Sequence, residues 1–113
     1  MRITRDTIQA VSDRLREAAP DATIILFGSW ARATEGSQSD LDILVVRPTV
    51  SAQRREAAEL YRAVRDVCAA TEVIVISHAS FAERSQWPGT VYHAAAREGR
   101  VLYDPSGALP SAG

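Results

Sequence analysis

A chain of 113 residues has room for one domain, and a domain of this size can bury enough apolar surface to fold without disulfides or a structural metal. Hydrophobic residues make up 46% and charged residues 24%, a globular balance that excludes disorder of the whole chain. Thirteen basic against fourteen acidic side chains leave a formal charge of -1, which disfavours direct nucleic-acid binding, and the single cysteine, Cys68, excludes an internal disulfide or a multi-cysteine zinc site and suits a cytoplasmic location.

From Thr4 to Ala19, Ile8, Val11, Leu15 and Ala18 recur at steps of three or four, which predicts an amphipathic helix ended by Pro20. Asp6, Asp13 and Glu17 interrupt this stretch, so it belongs to the fold rather than to a secretory signal. Ala22 to Phe27 is an apolar run of strand length, far short of the roughly 20 residues that span a bilayer. The segment after it, Ser29 to Ser39, is polar and rich in small residues, and predicts a short helical turn and a loop. Asp40 to Arg47 resumes strand character until Pro48 removes a backbone donor. Ser51 to Ala70 carries a helical apolar stripe through Leu60, Val64, Val67 and Cys68.

Thr71 to Ser77 is β-branched and predicts a third strand with Glu72 at its start. Phe81 to Gln86 and Thr90 to Glu98 read as helices parted by Pro88-Gly89, with Gly99 as a helix-ending residue and Arg100 to Tyr103 as a last strand. The order implies an α/β (α+β) domain over residues 1–103, a mixed β-sheet with helices mainly on one face, followed by a flexible tail over 104–113.

Asp40 and Asp42 stand two apart in a predicted strand, so both carboxylates share one face, roughly 7 Å apart along the backbone. Asp42 is followed at once by Ile43, Leu44, Val45 and Val46, and an unpaired charge against such neighbours is costly. A magnesium ion removes that difficulty, since it favours carboxylate oxygens and bridges proteins to phosphates. Upstream, Gly28-Ser29 sits where a strand ends and a helical turn is expected. Glycine lets the backbone approach a ligand, and a helix start offers unpaired N–H groups to an anion. A phosphate cradle beside a metal-binding pair is the equipment of phosphate transfer.

The stretch LFGSWARATEGSQSDLDILVV resembles the signature of the nucleotidyltransferase superfamily related to DNA polymerase beta, where Gly-Ser is followed about ten residues later by Asp-x-Asp. It is most similar to the minimal nucleotidyltransferases (MNT), many of them antitoxins paired with HEPN-domain toxins. Glu72 in ATEVIVIS and the GRVLY run from Gly99 to Tyr103 match further features of that family, so the resemblance covers most of residues 1–103. It implies a polymerase beta-like nucleotidyltransferase fold. It also implies transfer of AMP from ATP to a hydroxyl, with Asp40, Asp42 and Glu72 as catalytic residues holding two magnesium ions. Gly28, Ser29 and Arg32 would bind the nucleotide, and a HEPN-family toxin would be both partner and acceptor in a hetero-oligomer.

The chain departs from many relatives at Ala33, where they carry glycine, and at Glu72, where they carry aspartate. It also has no separate acceptor-binding domain. Two alternatives to protein modification stay open: neutralisation of the partner by binding alone, and modification of a small hydroxyl compound such as an aminoglycoside. His78 and His93 lack a zinc-ligand pattern and read as surface or capping residues, while Cys68 reads as a core residue.

Overall fold

The structure, a computed structural model, describes residues 3–28 and 40–105. Its elements run α1 (Arg5–Ala18), β1 (Thr23–Phe27), β2 (Leu41–Arg47), α2 (Gln53–Val64), β3 (Thr71–Ser77), α3 (His78–Arg84), α4 (Val91–Glu98) and β4 (Arg100–Tyr103). Thr4 opens α1 with a reciprocal capping box: its hydroxyl accepts from the Thr7 N–H, and Thr7 Oγ1 accepts from the Thr4 N–H.

The strands form one sheet in the order β3-β2-β1-β4. β1 runs antiparallel to both β2 and β4, whereas β2 and β3 are parallel and therefore need the α2 crossover between them. The register sets Leu26 level with Arg100, Phe27 with Asp42, and Asp42 with Glu72. The C-terminal end of β1 and the N-terminal ends of β2, β3 and β4 thus meet at one end of the sheet.

Every residue of β1 is buried, because the sheet is covered on both sides. On one face Ile24, Leu26, Ile43 and Val45 pack with Val11 and Leu15 of α1 and Leu60 and Val64 of α2. On the other, Ile25, Phe27, Leu44 and Val46 pack with Phe81 of α3 and Ala95 of α4. The mixed sheet agrees with the sequence reading, and the helical mass lies mainly on the first face, with helices of 14 and 12 residues against 7 and 8. The second face is nonetheless closed. Its helices do so with few large side chains, Phe81 and Tyr92, a pattern too sparse to assign to a layer from sequence.

Two helix boundaries differ from expectation. α2 stops at Val64 rather than Ala70, where the Val67 and Cys68 N–H groups both turn back to the Val64 carbonyl; Cys68 still enters the core, 2% exposed. α3 begins at His78 rather than Phe81, because the Ser77 hydroxyl caps it by accepting from the Ser80 N–H. Gly99 ends α4, but with an extended backbone (φ -68°, ψ 152°) instead of a left-handed turn. Its lack of a side chain serves packing, since a Cβ there would run into the Ala95 carbonyl and Ile25. Asp104, where the tail was expected to begin, is tied to the sheet by the Thr23 hydroxyl, which donates to its carboxylate at 3.1 Å.

Ala52 gives α2 no side-chain cap, and Glu56 fills that role from inside the helix. One carboxylate oxygen accepts from the Ser51 and Ala52 N–H groups at 3.0 and 2.9 Å, and the other accepts from Arg47 Nη1 at 2.8 Å. These donors hold the Glu56 carboxyl below its usual range, with the Ala52 N–H as the largest cause. A depressed carboxyl stabilises the fold above its unfolded value of 4.5, and that contribution fades as pH falls through the lower folded value. Glu56→Gln should therefore cost about 1–2 kcal/mol in urea unfolding at pH 7. The difference should shrink toward zero in the same measurement at pH 3.

Candidate functional site

The site is assembled by lateral register. Asp42 lies between Phe27 on β1 and Glu72 on β3. Strand alternation puts it on the α3/α4 side, since its neighbour Ile43 faces α1 and α2. Asp40 sits one residue before β2, exposed, and two positions from Asp42. Leu41 and Ile43, which flank Asp42, are fully buried, so the Asp42 carboxylate stands at the rim of the core as the apolar run foretold.

The start of β3 is pinned. The Thr71 hydroxyl donates to the Cys68 carbonyl at 2.8 Å, and the Leu41 N–H donates to the Ala70 carbonyl at 2.8 Å. Thr71, 5% exposed, thereby brings Glu72 level with Asp42. Nothing in the sequence marked Thr71 as part of the site, because its role depends on which strand lies beside it.

Gly28 ends β1 with φ +77°, a conformation that side chains disfavour. A Cβ built there would collide with Asp42 Oδ2, so the Asp42 carboxylate occupies the space that a side chain at position 28 would take. Gly28 and Asp42 form one packed unit. Ser29 and Arg32, the other expected nucleotide-binding residues, lie outside the described residues, as do Trp30 and Ala33.

Burial, a side-chain hydrogen bond with Glu72, and the negative charges of Glu72 and Asp40 push the Asp42 carboxyl up to about 6. Two carboxyl groups that hydrogen-bond to each other must hold a proton between them. A cation can take the proton's place, and the all-oxygen donor set of Asp42, Glu72 and the nearby Asp40 suits a hard ion such as magnesium. Among the described residues no three His, Cys, Asp or Glu side chains are already drawn together as a metal cage. The centre is the Asp42–Glu72 pair with Asp40 at its edge. His93 stays apart from it, its Nδ1 2.8 Å from the Ser85 carbonyl at the end of α3 and its backbone N–H donated to the Thr90 hydroxyl that caps α4.

Because the Asp42 carboxyl rises from 3.8 to about 6 on folding, the unfolded chain releases this proton more readily. Folding therefore loses stability as pH rises through that window. In metal-free buffer Asp42→Asn should stabilise the protein above pH 6, by on the order of 1 kcal/mol once solvent screening is allowed for, and leave it unchanged below pH 4. Paired thermal melts across pH check this. Gly28→Ala should cost about 1–3 kcal/mol in urea unfolding through its backbone conformation and its clash with Asp42.

A family model described as nucleotidyltransferase domain matches residues 8–89. No curated protein matches the chain. Among solved structures, the chain is similar to one of a tri-AMPylated Shewanella oneidensis HEPN toxin in complex with MNT antitoxin, at 17% identity and TM-score 0.57 over 90% of this chain and 73% of that one. It is similar to a toxin–antitoxin structure with AMP-PNP at 20% identity and TM-score 0.58, over 92% of this chain and 76% of that one. A Sulfolobus solfataricus protein described as a nucleotidyltransferase aligns at 16% identity and TM-score 0.59, over 88% of this chain and 79% of that one. These structural likenesses show a shared fold, and the family match spans the strands that carry Gly28, Asp42 and Glu72: the chain belongs to the nucleotidyltransferase domain family.

Proposed function

We propose that the chain is a magnesium-dependent nucleotidyltransferase that moves AMP from ATP to a hydroxyl of a HEPN-family toxin, acting in the cytoplasm as the MNT antitoxin of that pair. The observation that carries this reading is the Asp42–Glu72 carboxyl pair, set against Gly28 and strained toward accepting a cation. The toxin as acceptor is supported by the similar structure of an AMPylated HEPN toxin with its MNT antitoxin. ATP as donor is supported by the similar structure with AMP-PNP.

Asp40, Asp42 and Glu72 would hold two magnesium ions, which when bound supply positive charge to the attacking and leaving oxygens. Gly28 would offer its backbone N–H to a phosphate while its missing side chain leaves room for the Asp42 carboxylate, and Ser29 and Arg32 would add a hydroxyl and a fork of N–H donors for the phosphate oxygens. Glu72, exposed at the strand start, would accept the proton of the acceptor hydroxyl. That oxygen bonds to the α-phosphorus as the bond to the bridging oxygen breaks, and pyrophosphate leaves.

Incubation of the purified chain with ATP, magnesium and a HEPN partner, followed by intact mass, tests the reading. The partner should gain the mass of AMP, and Asp42→Ala should lower the rate at least about 100-fold. If the wild type yields no adduct while the Asp40→Ala/Asp42→Ala variant still neutralises the partner in full, the protein acts by binding and the enzymatic reading fails.

A further inference from the structure

At the end of the sheet opposite the carboxylates, β3 presents a second surface. It is the outermost strand on its side, paired only with β2 among the described residues. The Val75 carbonyl points to the open side, where the Gln53 side-chain amide donates to it at 2.7 Å. Backbone alternation directs the polar groups of Val73 and Ser77 the same way. Seven residues rich in Val and Ile, with no strand beyond them among the described residues and with Gln53 covering the buried Val75, are a template for a further strand.

A groove of about 210 Å³ lies at the C-terminal end of this edge, where it touches Val75, Ile76 and Ser77. Val75 and Ser77 form its floor, Ser51 and Gln53 from the start of α2 form one wall, and Ser80 and Arg84 of α3 form the other. Arg84 lies over the Tyr92 ring, 5.6 Å from its centroid, so its guanidinium is held at the rim. The lining contains one cation and no carboxylate. A strand edge framed by two helix walls accepts an extended polypeptide through main-chain hydrogen bonds, and the lone cation selects an acidic side chain.

We propose that the β3 edge and its groove form a docking site for an extended, acid-bearing segment of a partner polypeptide, which joins the sheet beside β3 with its carboxylate against Arg84. Gln53 acts as a placeholder: its amide satisfies the Val75 carbonyl until a main-chain N–H replaces it. The site is separate from the carboxylate centre and does not depend on catalysis.

Selection from a random ten-residue peptide library on the immobilised full chain tests this. The enriched sequences should carry Asp or Glu at one fixed position among β-branched residues. The consensus peptide should slow hydrogen exchange at the Val75 and Ser77 amides at least tenfold. Arg84→Gln, an exposed change that the fold tolerates, should weaken peptide binding about tenfold, and Gln53→Ala should leave it intact or stronger. No enrichment, a basic consensus, or protection confined to other amides would overturn the proposal. So would sedimentation that shows the free chain already dimerised through β3, which would assign the edge to a second copy. AMP transfer is not measured in this experiment, so its outcome is independent of the enzymatic reading.

Discussion

The lateral register of β2 holds the candidate site together. Asp42 has one neighbour that yields space, at Gly28 beyond Phe27, and one that brings charge, at Glu72. Each demand is local and severe. A side chain at 28 would displace the carboxylate, and a slip of β3 by one residue would turn Glu72 to the opposite face. The buried Thr71 hydroxyl and the backbone bond from Leu41 to Ala70 hold that register at the point where β3 begins. The two-sided core behind them, fully buried along β1, supplies the rigidity that keeps like charges side by side.

That arrangement is electrostatically uncomfortable by construction. Burial and the neighbouring Glu72 and Asp40 raise the proton affinity of the Asp42 carboxyl, a tension that a proton or a cation relieves. Several other acids among the described residues meet matching donors instead. Glu56 meets Arg47 and two backbone N–H groups, and Asp66 meets Arg14 across the α1–α2 contact at 3.3 Å. Charges are thus settled where they serve the fold and left unsettled at the end of the sheet where β1, β2 and β3 meet. This contrast supports reading the carboxylates as a ligand site rather than as part of the scaffold.

Much of this could be read along the chain. Apolar runs marked β1 and β2 because strands covered on both faces leave little room for polar residues, whereas the period of two invoked for Asp40 and Asp42 meets a strand that starts only at Leu41. Helix ends were less legible. The close of α2 is set by Val67 and Cys68 turning back to Val64, and the start of α3 by a serine that belongs equally to the preceding strand. The pairing of Asp42 with Glu72 lay outside local pattern altogether, since parallel register is fixed by the crossover and the core. Glu72 was reached through family resemblance, and the filling of the Gly28 vacancy by the Asp42 carboxylate needed coordinates.

Gly99 bears on how rigid this end of the sheet is. The backbone at the end of α4 rests directly on Ile25, with no side chain between helix and strand to slide or compress. Contacts of this kind resist shear, because any displacement must first open a gap that nothing fills. The end of α4 is therefore held against β1, on the side of the sheet to which Asp42 turns, by a single atom's absence. Under the proposed reading, a docked acceptor would meet this side as a fixed shape rather than as a closing wall.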